Sequence, residues 1–395
     1  MNGAPRASRP TIDSRRVVVT ALGFTQILGY GTSFYLLAVL AAPITSDTGW
    51  SLAEVAAGVS IGLLAGGLSA PWIGRFVDRF GGRPVLACGS ICFALGLAGI
   101  GLSPNLPSYW LAWCVVGLGM ASGLYDAAFS ALGRWYRHEA RPLITTVTLW
   151  GGFASTLLWP LSAYLVENAG WRWTCLIYAA IHFVVALPLH ALLMPSNGSA
   201  VPQAPAEARE AYPVVHRRLL FVLISASMML SSIIVTLISV HLIPVLQGFG
   251  YTSAAAVAIG ALIGPSQVAG RFAEFAIGKR VHPLWTTLAA GLMMGVGTAM
   301  LALSATLAAI AIVVYAVGAG VSYIVRGTLP LVLFGSDGYA TLMGRLVVPS
   351  LIAQALAPWA AALSLEHWDK GIFFPTLVVL ALANIVVVAV MLKSR

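Results

Sequence analysis

Four ionisable side chains stand inside long apolar runs of this sequence: Asp126, Arg271, Arg326 and Arg345. Each would cost about 2.5–3.5 kcal/mol at the centre of a bilayer, and together on the order of 10–14 kcal/mol if they faced hydrocarbon. They must therefore face water, one another or a ligand. A carboxylate in such a place can gain and lose a proton as its surroundings change. A guanidinium can grip a carboxylate through two parallel hydrogen bonds. Asp126 shares a small polar face with Gly119, Ser122, Gly123 and Ser130 at helical spacing, and reads either as a proton-coupling group or as half of a fixed ion pair. Arg326 follows Ser322 and Tyr323 and reads either as an anion site or as the partner of a carboxylate such as Asp126. Arg271 lies on a stripe with Gly260, Gly264, Gln267 and Glu274, and Glu274 at i+3 competes for it. Arg345 reads as structural, at a membrane edge where Asp78 or a lipid phosphate satisfies it. His241, ahead of Pro244, is either a relay or ligand-bonding group or a packing histidine. Gln26, Tyr30 and Ser33 give their run a polar face suited to lining a cavity.

The elements that position these residues follow from composition. Hydrophobic residues make up 59% of the 395, charged residues 9%, and mean hydropathy is +0.89, which excludes an ordinary soluble domain. Runs of about 20 apolar residues can cross a bilayer. Twelve are expected: 17–43, 54–73, 84–103, 107–131, 143–165, 173–193, 219–246, 254–278, 284–304, 307–334, 339–363 and 371–392. The Pro/Ala-rich stretch 195–218 cannot sit in lipid and divides the chain into six-helix halves, 1–194 and 219–395. Val116-Gly117-Leu118-Gly119 and Val317-Gly318-Ala319-Gly320 match at an offset of 201, and Pro160 and Pro358 at 198, as a duplicated unit would.

With both termini placed in the cytoplasm, seventeen Lys and Arg fall on that side, two (Arg172 and Lys370) on the other, and three within spans. That is a strong positive-inside bias, so the basic excess concerns orientation in a plasma (inner) membrane and not nucleic acid. The first span is too long for a signal-peptide core and reads as retained. Cys88 and Cys92 share a helix face, where small apolar packing outweighs a soft-metal pair. No metal cluster, phosphate-cradling loop or nucleophile with a base is present in the sequence, so neither an enzyme nor any cofactor is expected.

One short segment is more specific. Gly74-Arg75-Phe76-Val77-Asp78-Arg79-Phe80-Gly81-Gly82-Arg83 lies between the second and third runs. It resembles the signature loop G-x-x-x-D-R-x-G-x-R/K of major facilitator superfamily transporters. The resemblance covers the whole chain. It implies an all-α integral membrane protein of twelve transmembrane helices in two pseudo-symmetric six-helix bundles, working as a monomer by alternating access. Asp78 is expected to cap a neighbouring helix N-terminus, with Arg79 and Arg83 pairing with it or with lipid, so that Gly74, Asp78, Arg79, Gly81 and Arg83 form a gating latch.

Two further stretches resemble the monocarboxylate and oxalate/formate carrier group: Tyr30-Gly31 with Gly49-Trp50-Ser51, and His241-Leu242-Ile243-Pro244 with Gly264-Pro265-Ser266-Gln267-Val268-Ala269-Gly270-Arg271. That resemblance makes Arg271 the first candidate substrate ligand, with Arg326, His241, Tyr30 and Gln267 beside it. Members often carry an aspartate where Gln267 stands, and the second copy of the loop has Phe275 and Lys279 where Gly and Asp are usual. Proton coupling therefore shifts to Asp126. The reading is a secondary transporter of a small, monocarboxylate-like organic anion, driven by protons or by a counter-substrate. The alternative is a drug or toxic-ion efflux antiporter of the same fold.

Overall fold

The computed structural model describes residues 12–196, 214–278, 281–367 and 372–394. Arg6, Arg9, Lys279, Arg280, Lys370 and most of the expected linker, 197–213, lie outside the described residues, as does the side chain of Pro358.

The chain is helical almost throughout, and several passes are broken where the sequence weakens the backbone ladder. The first pass is α1 (Ile12–Gly31) and α2 (Leu37–Thr48). At the break, the Thr32 and Ser33 hydroxyls donate to the carbonyls of Leu28 (2.8 Å) and Gly29 (2.5 Å), a local competition that bends helices. A reciprocal Ser51–Glu54 capping box then starts α3 (Leu52–Phe80). α4 (Gly82–Leu102) is the third pass. The fourth is α5 (Leu106–Gly123) plus α6 (Tyr125–Tyr136), interrupted at Leu124 in extended conformation. α7 (Ala140–Gly151), α8 (Ala154–Ile181), a π-helical turn (His182–Ala186) and α9 (Leu187–Leu193) follow. α8 folds back at Gly170 (φ 79°, ψ 166°), a conformation open mainly to glycine, so this stretch supplies the fifth and sixth passes.

In the second half, α10 (Val214–Gly248) is the seventh pass, beginning five residues before the expected start of that span. The eighth is α11 (Ser253–Ala261) plus α12 (Ile263–Ile277), parted at Leu262 just before Pro265, whose ring removes a ladder donor. α13 (Pro283–Leu303) and α14 (Ala308–Phe334) are the ninth and tenth. α15 (Tyr339–Leu346) and α16 (Val348–His367) form the eleventh, and α17 (Phe373–Lys393) the twelfth. Among the described residues, nine stretches are long and apolar enough to cross a bilayer. The fold-back at Gly170 and the broken first and eighth passes complete the expected twelve.

Each half has its own packing. In the first, α3 and α4 pack on α5, and α1 packs on α7 and α8; in the second, α13 packs on α14 and α17, and α10 on α16 and α17. The repeated small-residue motif serves close approach. A Cβ on Gly117 would overlap the Gly62 carbonyl of α3, and one on Gly320 the Gln267 backbone of α12. The halves meet through α3 against α15 and α16, α6 against α15, and α7 against α12 and α14.

The Gly62–Gly117 crossing yields a stability prediction. Gly117→Val has no room and should cost about 1–3 kcal/mol through overpacking. Leu118→Val, on the outward face where Leu118 is exposed, should stay within about 0.5 kcal/mol. Thermal unfolding of the two purified variants measures the difference, and equal melting temperatures would contradict the crossing.

Candidate functional site

A cavity lies between the halves, lined by the first, second and fourth passes on one side and by the seventh and ninth to twelfth on the other. Its polar centre is an ion pair that bridges the halves. Arg326 Nε donates to Asp126 Oδ1 at 2.8 Å and Nη2 donates to Oδ2 at 2.9 Å. This is the bidentate fork that makes Arg–carboxylate pairs strong. Arg326 Nη1 also reaches Ser232 Oγ at 3.4 Å. The break at Leu124 decides where the carboxylate points. It restarts the helix so that Asp126 lies in the first turn of α6, where the helix dipole favours a negative charge.

The same break corrects the face expected for this pass. Asp126 lines the cavity together with Met120, Ala121 and Leu124, whereas Gly119 and Gly123 pack against Phe93. Ser122 and Ser130 donate to the Leu118 and Asp126 carbonyls.

Arg271 is 3% exposed and sits behind the cavity, outside its lining. Nη1 donates to the Thr148 carbonyl at 2.8 Å, and Nε to that of Gly320 at 3.4 Å. The guanidinium lies 5.1 Å from the Tyr323 ring centroid, within cation–π reach. The Tyr125 hydroxyl donates to the same Thr148 carbonyl at 3.2 Å. Glu274, the partner expected for Arg271, pairs with Arg141 instead, at 3.8 Å. Among the described residues no carboxylate lies within ion-pair distance of Arg271.

Tyr30 lines the cavity and packs on Tyr125 at 4.7 Å, which in turn lies 6.2 Å from Tyr323. Its expected companions are turned inward. Gln26 donates to the Gly123 carbonyl, and Ser33 is fully buried. Gln267 and His241 are not part of the cavity lining. Gln267 offers its backbone to Gly320, and His241 packs edge-on to Phe373 at 5.9 Å. The expected set of substrate contacts is therefore split: Arg326, Tyr30 and Asp126 share one chamber, and Arg271, Gln267 and His241 stand outside it.

Sequence reasoning passed over Ser232, Tyr125, Gln354 and Asn384, of which all but Tyr125 line the cavity. Asn384 had a readable signal, since it is the one amide in an otherwise apolar last span. His182 and His190 were also passed over. They contact Thr32 (2.8 Å), Ser90 (2.8 Å) and Thr25 (3.0 Å), tying the sixth pass to the first and third.

The motif Gly74–Arg83 is less of a loop than expected. Gly74–Phe80 is the end of α3, and Gly81 alone separates it from α4. Its contacts close the halves on the face that carries both chain ends. A Cβ on Gly74 would overlap the Ala340 carbonyl. Asp78 Oδ2 accepts from the backbone N–H of Thr341 at 2.8 Å, in the first turn of α15. Arg134 donates to the Asp78 carbonyl. Arg141 donates to the Val281 carbonyl at 2.8 Å, and Arg137 stands 3.7 Å from Asp337. Arg345 is exposed, and the Asp78 carboxylate, one of the two groups expected to satisfy it, accepts from Thr341 instead. Arg79 lies over the Phe80 ring at 5.1 Å, and Arg83 is half-buried.

Two matched helical bundles around a chamber with a charged centre define a membrane carrier. The family comparison agrees: the profile of the Major Facilitator Superfamily matches residues 22–358, and the chain belongs to that family of transporters, which are not enzymes. Over most of its length the fold is similar to that of the human organic anion transporter MFSD10 (TM-score 0.73, 17% identity, 95% of this chain and 99% of that one). It is also similar to the proton:xylose symporter XylE (TM-score 0.69, 12% identity, 96% of each). Sequence similarity is more local. Monocarboxylate transporter 6 of Homo sapiens is 32% identical over 138 residues, which is 34% of this chain and 27% of that protein. Organic anion transporter 3 of Homo sapiens is 29% identical over 126 residues, 32% and 22% of the two chains. The MFS antiporter QDR3 of Candida albicans is 26% identical over 174 residues, 43% and 24%. The chain thus spans only about a quarter of the length of these relatives.

The gate yields a prediction. A hydrogen bond to a charged group contributes about 1.5–3 kcal/mol when buried, and somewhat less at this half-buried site. Asp78→Ala should shift the balance toward an open terminal face by about 5–30-fold, the equivalent of 1–2 kcal/mol. Hydrogen exchange read by mass spectrometry should quicken in residues 74–80 and 339–346. Unchanged exchange there would remove Asp78 from the gate.

Proposed function

We propose that the protein is a secondary active transporter of a small, monocarboxylate-like organic anion, working by alternating access with both termini in the cytoplasm of a plasma-membrane-bounded cell. Arg326 is the substrate's anchor and Asp126 the proton-coupling group. The observation that carries this reading is the bidentate Asp126–Arg326 pair inside the chamber between the halves. The names of two relatives, a monocarboxylate and an organic anion transporter, point the same way.

Charge balance supplies the mechanism. With Asp126 ionised, the guanidinium is already neutralised. A second anion entering the chamber would leave one buried negative charge uncompensated, at a cost of several kcal/mol. With Asp126 protonated, the fork of Arg326 is free, and a substrate carboxylate replaces Asp126 like for like. Substrate and proton then cross together as a neutral set, or exchange against a second substrate while Asp126 stays protonated. Because the pair joins the fourth pass to the tenth, exchanging its anion also changes what holds the halves together. Arg271, satisfied by carbonyls and by Tyr323, keeps the aromatic wall in place.

The efflux reading draws on the resemblance to the antiporter QDR3. A cationic drug would have to displace Arg326 from Asp126 and leave that guanidinium buried and alone, which the same arithmetic opposes.

Asp126→Asn imitates the protonated carboxyl. In proteoliposomes it should retain exchange of labelled for unlabelled substrate while losing accumulation driven by an imposed pH gradient. Arg326→Gln should raise the half-saturation concentration by at least about tenfold. Gradient-driven accumulation by Asp126→Asn at the wild-type level would overturn the coupling role. Absence of uptake or exchange across a broad panel of carboxylates, alongside drug resistance on expression, would favour efflux.

A further inference from the structure

The chamber is larger than the ion pair needs, and one end of it is built from uncharged polar groups. Asn384 lies in α17, among residues that are otherwise apolar from Leu377 to Leu392. It is 2% exposed, and a buried amide without partners is costly. Ser227 Oγ donates to Asn384 Oδ1 at 2.6 Å, and Asn384 Nδ2 donates to Ser231 Oγ at 3.1 Å. An amide offers two N–H donors and two lone pairs on oxygen. These contacts use one of each, so half of its hydrogen-bonding capacity remains. All three residues line the cavity.

Gly291 of α13 faces Asn384, and a Cβ there would stand in ordinary van der Waals contact with Asn384 Nδ2 at 3.5 Å, so a larger side chain at 291 would close the chamber over the amide. The cluster is also continuous with the charged centre. Ser231 adjoins Ser232, which Arg326 Nη1 reaches, and Ser227 lies one turn, about 6 Å, further along the same helix. If the cluster served only to tie α17 to α10, as interhelical polar contacts do, it would need no place on the chamber, which all three residues line.

We infer that Asn384, Ser227 and Ser231 form a second subsite, which hydrogen-bonds an uncharged polar group (a ketone, hydroxyl or amide) on the substrate about one helical turn from its carboxylate. The inference rests on the organic-anion reading above and narrows it to carboxylates with a neutral polar tail. A site that offers hydrogen bonds discriminates against ligands that leave its buried groups unmet.

The test compares 5-oxohexanoate with hexanoate, which differ in one distal carbonyl. Both are titrated onto the purified full-length protein, with binding read by thermal shift. The ketone acid should bind at least about tenfold more tightly to the wild type. Asn384→Leu removes the amide, and Gly291→Val fills the space before it while leaving Asn384 in place. Either should bring the two affinities within about twofold of each other. If Asn384→Leu does not fold, Gly291→Val carries the comparison. Equal affinities in the wild type, or a preference that survives in Gly291→Val, would overturn the subsite and leave the carboxylate reading standing. Binding of neither acid would overturn both.

Discussion

One guanidinium, paired with a carboxylate from the opposite half, is the interaction on which this structure turns. Arg326 and Asp126 come from opposite halves, about 200 residues apart in sequence, and meet in a chamber where neither can be left alone. Removing one partner of a fully buried pair costs about 3–5 kcal/mol, and this pair, whose side chains are 12% and 24% exposed, stands below that figure. A rigid protein would treat such a pair as a fixed staple. In a protein of two bundles it becomes a condition on movement, because the halves can rearrange only when something keeps the arginine's charge matched.

The two membrane arginines show how context sets role. Both lie among helices, Arg271 buried and Arg326 partly exposed to the chamber, yet Arg271 is held by carbonyls of Thr148 and Gly320 and by the face of Tyr323, and Arg326 by a carboxylate. Carbonyls and rings belong to the scaffold and cannot be protonated away. Arg271 is therefore a permanent fixture that links the fifth, eighth and tenth passes. It also shares its carbonyl partner with Tyr125, the neighbour of Asp126. Arg271 lies over Tyr323, and Tyr30 and Tyr323 line the chamber that holds Arg326, with Tyr125 packed between them.

Much of the architecture was legible from hydropathy because the bilayer leaves few options: each pass must satisfy its backbone internally. The breaks were less legible. At Leu124 the sequence carries neither proline nor a polar turn, yet the extended residue there rotates Asp126 toward the chamber and sends Gly119 and Gly123 to pack on Phe93. A regular helical wheel drawn across Leu124 wrongly groups Asp126 with Gly119 and Gly123. The signature motif misled differently, since its composition reads as a loop although most of it continues α3. His241 and Gln267 were read as substrate contacts on a family resemblance, which fixes the helix a residue occupies but not which way it faces. The partner of Arg326 was guessable from its near-equivalence to Asp126 in the repeat. The amide of Asn384 was readable as an anomaly in the last span, but its neighbours on α10 and α13 were not, because packing between distant passes leaves no local trace.

The contrast between the gate and the chamber bears on how such a molecule turns over. On the terminal face, Asp78 bonds a backbone N–H at a helix start, Arg141 bonds carbonyls at a helix end, and Arg137 stands near an Asp337 that is 86% exposed. When these contacts part, water is at hand for every group, and exposed pairs contribute about 0–1 kcal/mol each. They can bias the resting orientation without locking it. In the chamber, water is scarcer and the anion must be replaced like for like. The free energy of switching is therefore concentrated at Arg326. On the proposed mechanism, a ligand that satisfies that arginine while Asp126 is neutral removes the largest obstacle, and a ligand that does not leaves the halves where they are.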